Sequence, residues 1–125
     1  MRYEVNVEYT DYEIEFLKII APLKVRFFTQ EWISISKGDE IKNYKADVII
    51  KKAFYPQMKA DHGIIFEVQG EQHLKKGRQR KDEEKIKDLT DAGYHVYEVW
   101  FYELKDREKL KDRIINILKE EGILK

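Results

Sequence analysis

Gly63-Ile64-Ile65-Phe66-Glu67-Val68-Gln69-Gly70-Glu71-Gln72-His73 is the stretch on which both the fold and the chemistry turn. It opens as an apolar run, Ile64-Ile65-Phe66, of the β-branched and aromatic kind that favours strands. Polar alternation is missing at its start, so both faces of this strand are expected to be covered, as in the middle of a sheet. The stretch closes in acid, amide and imidazole, and a basic segment follows at once. A strand that carries carboxylates and a histidine to its end, beside lysines and arginines, points to metal-assisted chemistry on a polyanion.

Working outward toward the N-terminus, residues 54–63 hold Pro56, Asp61 and Gly63 and read as a loop. Tyr44-Lys45-Ala46-Asp47-Val48-Ile49-Ile50 is a second strand, running to Lys51. Val25 to Ser36 is another, rich in β-branched and aromatic residues and interrupted near Gln30, with Lys37-Gly38-Asp39-Glu40 as a turn. Thr10-Asp11-Tyr12-Glu13 has the Thr-x-x-Glu form of a capping box, and Ile14, Leu17, Ile20 and Ala21 follow at helical spacing until Pro22.

Toward the C-terminus the period changes. Ile86, Leu89 and Ala92 mark a helix over Gly77–Ala92 that Gly93 ends, its first half almost entirely charged. Tyr94 to Phe101 is a fourth strand. Leu110, Ile114, Ile117 and Leu118 define a closing helix that Gly122 ends. The order is α-β-β-β-α-β-α. A three-stranded meander followed by a helical crossover to a fourth strand predicts an α/β fold with a mixed four-stranded sheet flanked by helices on both faces. No repeat, low-complexity segment or linker divides residues 1–125, so one domain is expected.

Composition bounds the function. The 125 residues are 42% hydrophobic and 38% charged, a globular and charge-rich chain. With 24 basic and 24 acidic side chains the net charge is zero, so affinity for nucleic acid has to come from local clustering. The absence of cysteine excludes disulfides, thiolate zinc sites and a thiol nucleophile. No run approaches the ~18 apolar residues needed to span a bilayer, and the N-terminus lacks a signal-peptide core. The expectation is a soluble cytoplasmic protein with no membrane partner.

Asp47 lies among apolar residues on the second strand, and Glu67 follows three apolar residues on the third. Acids are seldom left in buried strands unless they are paired or coordinate a metal. Neighbouring strands sit ~4.8 Å apart, so the two carboxylates can share one divalent cation. Magnesium suits such a site, with water and phosphate filling its other positions. The plain structural alternative puts one acid toward solvent at a sheet edge and pairs the other with a lysine. Gln69 falls two residues past Glu67, on the same face, while Val68 points into the core. His73, beyond the strand, titrates near neutral pH and can relay a proton to or from water; His62 and His95 read as ordinary loop and strand residues. Lys75, Lys76, Arg78, Arg80 and Lys81 place five cations within seven residues. At a helix start they oppose the macrodipole, and contact with phosphates accounts for them. A solvated charged face, partly neutralised by Asp82, Glu83 and Glu84, accounts for them equally.

Asp47 followed by Glu67-x-Gln69 on consecutive strands resembles the PD-(D/E)XK nuclease superfamily, with Gln69 in the usual lysine position. The longer pattern is similar to its very-short-patch-repair (Vsr)-like branch. It runs from Thr10 and Glu13 through Gln30, Asp47, the E-x-D-G-x-x-H-like segment Glu67 to His73, and Asp82, to the Gly93-Tyr94 entry of the last strand. The resemblance covers residues 10–101 and departs at Gln69, where Asp or Lys is usual; a neutral amide supplies neither positive charge nor a strong metal ligand. It implies a restriction-endonuclease-like fold and a Mg²⁺- or Mn²⁺-dependent DNA endonuclease. Asp47 and Glu67 would be metal ligands, Glu13 an auxiliary one, and Gln69 and His73 would position or deprotonate water. Lys75, Lys76, Arg78, Arg80 and Lys81 would hold the DNA backbone. The alternatives are a catalytically inactive nucleic-acid-binding module of the same fold, and a protein-interaction domain, such as a homodimer formed through Tyr97, Trp100 and Tyr102.

Overall fold

Thr10 starts the first helix as its residue types dictate. Its hydroxyl accepts the Glu13 amide, and the Glu13 carboxylate returns to the Thr10 backbone, a complete capping box for α1 (Asp11–Ile20). The structure, a computed structural model, describes residues 9–71 and 76–125, with Lys76 described by its backbone only. The further elements are β1 (Phe28–Lys37), β2 (Glu40–Lys51), β3 (Gly63–Gln69), α2 (Lys76–Asp91), β4 (Tyr94–Trp100) and α3 (Arg107–Glu120). The expected order α-β-β-β-α-β-α is the observed one. β1 begins three residues later than expected, and β2 begins four residues earlier because it extends into a long hairpin closed at Gly38.

The sheet order is β1-β2-β3-β4. β1, β2 and β3 form an antiparallel meander, and β4 joins parallel to β3 after the α2 crossover. Every residue of β3 is buried. Gly63 is required at its start, because a Cβ there would lie 2.8 Å from the Ile50 carbonyl oxygen. At the other end of the crossover, Gly93 turns α2 into β4 with φ +100, a conformation that favours glycine.

α1 and α3 cover one face. Phe16, Ile20, Leu110, Ile114 and Leu118 pack there with Val48, Ile50, Ile64, Phe66 and Val68. α2 covers the other, where Leu89 meets Ile33, Ala46, Ile49 and Ile65. Val68 therefore points into the core, as its alternation with Glu67 predicts.

The alternation itself reverses at one place. On β2, Val48 and Ile50 face α1 and α3 while Ile49 faces α2; beyond Asp47 it is Ala46 and Tyr44 that face α2. On β1, Phe28 faces α2, and past Gln30 so do Ile33 and Ile35. The two switch points are opposite each other: the register runs from Thr29 opposite Val48 to Glu31 opposite Ala46, with Gln30 and Asp47 between them. Gln30 sits at φ 48, rare for a residue with a Cβ.

Tyr97 and His95 tie β4 to the end of α3. The Tyr97 hydroxyl and His95 Nδ1 each lie 2.5 Å from Oε2 of the buried Glu121 at the end of α3. Of the aromatics expected at a dimer surface, Tyr97 is partly buried and packs against the core, while Trp100 stacks on Tyr102, which is exposed. No helix among the described residues is long and apolar enough to cross a membrane.

Phe66 carries much of the packing: it is fully buried, with the Phe16 ring centroid at 5.4 Å and that of Tyr97 at 5.8 Å. Phe66→Ala is expected to lower unfolding stability by about 3–5 kcal/mol, read as a reduced urea midpoint with little change in slope.

Candidate active site

The site forms where two strands part. The β2–β3 ladder ends at Val48 opposite Phe66, whereas the β3–β4 ladder continues to Gln69 opposite Trp100. Asp47 has no backbone partner in either of its ladders. Its side chain takes over the lateral bond: Oδ2 accepts the Val68 amide at 2.8 Å. The strands fork there, and a cleft of about 750 Å³ opens over Asp47, Glu67 and Gln69, walled by Thr10–Glu13 and by α2.

Glu67 is buried, at 4% exposure, beside the half-buried Asp47. Burial pushes its carboxyl well above the usual range, and the Asp47 charge adds to the rise; the Lys85 ammonium partly offsets both. Lys85 Nζ lies 2.5 Å from Glu67 Oε1. The ammonium thus pairs directly with Oε1, which is itself buried. The lysine pairing of the plain alternative is present, between Lys85 and Glu67, but neither acid lies on an edge strand: the two carboxylates meet on the inner strands β2 and β3.

Gln69, also buried, donates its amide to Glu98 Oε2 at 3.2 Å and so lies on the cleft floor already bonded to a carboxylate. Glu13 lines the cleft too. Oε1 serves the capping box and Oε2 accepts the Gln30 amide at 3.2 Å, so the left-handed Gln30 ties α1 to the strand opposite Asp47. Glu71 accepts the Tyr12 hydroxyl at 2.6 Å. Among the described residues, no group of three His, Cys, Asp or Glu side chains gathers closely enough to hold a metal, so Glu13 stands apart from the acid pair.

The cations divide. Arg78, Lys81 and Lys85 all line the cleft. Their spacing of three and four residues puts them on one face of α2. Arg80, expected with them, is exposed and does not line the cleft. His73 and Lys75 lie outside the described residues, as does the Lys76 side chain. Two residues were not anticipated. Lys85 was legible as the next member of the Arg78, Lys81 series. Glu98 was legible only through register, since it pairs with Glu67 across β3 and β4.

Two neighbouring carboxylates, one buried and one half-buried, on a cleft with room for water and phosphate suit a hard divalent cation such as Mg²⁺. Asp47 and Glu67 are the residues that would hold it. The chain matches no protein-family model, no curated protein and no solved structure.

The raised Glu67 carboxyl has a signed consequence for stability. Above its ordinary value of 4.5, and up to its folded-state value, the native protein binds more protons than the unfolded chain. Stability from this group therefore falls as pH rises through that window. In chelator-treated buffer, Glu67→Gln is expected to gain stability over wild type at about pH 7 relative to about pH 4, measured by urea unfolding at both.

Proposed function

We propose that the protein is a metal-dependent DNA endonuclease of the PD-(D/E)XK type, with a Vsr-like arrangement. The observation that carries the reading is the buried Asp47–Glu67 pair at the strand fork, facing a cleft lined by cations of α2. A buried like-charge pair is costly, and a divalent cation between the two removes the cost. When bound, such an ion lowers the pKa of water and offsets charge on phosphate.

The chain's own groups do the rest. Asp47 is fixed through Oδ2 by the Val68 amide, so its Oδ1 has a defined direction. Arg78 and Lys81 are exposed along one wall, where they bind phosphate oxygens of the nucleic-acid backbone. Gln69 and His73 position the attacking water, His73 as the group that exchanges a proton with it. Glu13 acts at one remove, holding Gln30 and hence the strand opposite Asp47.

A second reading is favoured by Gln69, which carries no charge and is bonded to Glu98: a nucleic-acid-binding module that does not cut. Cleavage of plasmid and branched DNA with Mg²⁺ or Mn²⁺ separates the two. The endonuclease reading expects metal-dependent cutting that chelator stops, with Asp47→Ala and Glu67→Ala each losing at least about 100-fold, the equivalent of several kcal/mol. Salt-sensitive binding without cutting, unchanged in Asp47→Ala, establishes the binding module instead.

A further inference from the structure

We propose that Lys85 supplies from α2 the positive charge that phosphodiester cleavage needs at this site; the inference rests on the endonuclease reading above. The strand itself offers none. Gln69, two residues past Glu67 on the same face, is neutral and gives its amide to Glu98. Lys85 comes from the facing helix instead, with Nζ 2.5 Å from Glu67 Oε1 and 2.6 Å from the Lys45 carbonyl oxygen, to which it donates. The side chain is 21% exposed, so the ammonium is held at the acid pair yet open to the cleft.

Its position is fixed from outside the site. One turn further along α2, Asp88 accepts the Tyr44 hydroxyl at 2.5 Å and pairs with Lys37 at 3.1 Å. These contacts lock the helix to the β1–β2 hairpin, and the Lys45 carbonyl on the same hairpin holds the ammonium itself. Arg78 and Lys81 lie about two turns and one turn nearer the start of α2, where they suit the flanking backbone rather than the acid pair.

The chemistry calls for such a group. In hydrolysis the water oxygen forms a bond to phosphorus while the bond to the leaving oxygen breaks. Water gives up one proton and the leaving oxygen takes one, and negative charge grows on the non-bridging oxygens between. A fixed ammonium beside the acids offsets that charge and keeps its own proton throughout.

The test uses the full chain with Mn²⁺ and two readouts: DNA cleavage at saturating substrate, and Mn²⁺ binding by calorimetry. Lys85→Met is expected to lower kcat about 10²–10³-fold with little change in KM. It is expected to bind Mn²⁺ as tightly as wild type or more tightly, because the ammonium no longer competes for Glu67. Adding Gln69→Lys to Lys85→Met returns a charge to the strand and is expected to recover at least about tenfold in kcat, or 1.4 kcal/mol. Wild-type kcat in Lys85→Met, while Asp47→Ala is inactive, overturns the role of Lys85 and leaves the endonuclease reading standing. So does loss of Mn²⁺ binding in Lys85→Met, which makes the lysine a structural prop, and so does a double variant that binds Mn²⁺ without recovery. A wild type that cuts no DNA overturns the endonuclease reading and this inference with it.

Discussion

Where a backbone ladder bond would otherwise join β2 to β3, the Asp47 carboxylate accepts the Val68 amide. That substitution lets the strands diverge without leaving a buried N–H unpaired, a cost of about 1–3 kcal/mol were it left so. Once the strands diverge, Glu67 is left in the gap, buried and next to a like charge. It is tolerable only with positive charge close by, and Lys85 provides that from the opposite wall. The cleft, the acid pair and the attachment of α2 are therefore one problem with one solution.

α2 shows how far that solution departs from ordinary packing. Its fully buried apolar residue is Leu89. Much of its grip on the sheet is polar: Asp88 to Tyr44 and Lys37, Glu84 to Lys37 and Lys42, and Lys85 to the Lys45 carbonyl and Glu67. The Tyr44 hydroxyl bond and the nearby lysines hold Asp88 below the usual carboxylate range, and burial with the same bond pushes Tyr44 well above its own. A helix docked in this way presents a charged face to the cleft without exposing an apolar one to water. That is the arrangement a polyanion-binding wall requires.

The sheet was readable because its signals are local. The capping box at Thr10, the turn at Gly38, the apolar run at Ile64 and the stops at Gly93 and Gly122 each act within a few residues, and each appears where the residue types demand. The acid pair was readable for a related reason: Asp47 and Glu67 are polar residues in apolar strands, and burial of an acid invites a partner. What the chain order concealed was nonlocal. Lys85 looks like one more charge on a charged helix until α2 is laid across β2 and β3. Glu98 becomes relevant only once β4 is parallel to β3 in a particular register. The strand ends near the hairpin were misjudged because Glu40, Lys42 and Lys37 are polar on paper, yet two of them extend the strands to reach acids of α2. The helical cations are contiguous in sequence, whereas helical geometry sends Arg78 and Lys81 to the cleft and Arg80 elsewhere.

Gln30 has a second consequence, away from the cleft. Among the described residues β1, ten residues long, pairs only with β2 and is the edge strand of the sheet order. A long regular edge of that kind is a template on which another chain can add a strand and begin to aggregate. The left-handed backbone at Gln30, with the reversal of alternation around it, interrupts the regularity of that strand. The distortion opposite Asp47 thus also makes β1 a poorer template for strand addition than a regular strand of its length.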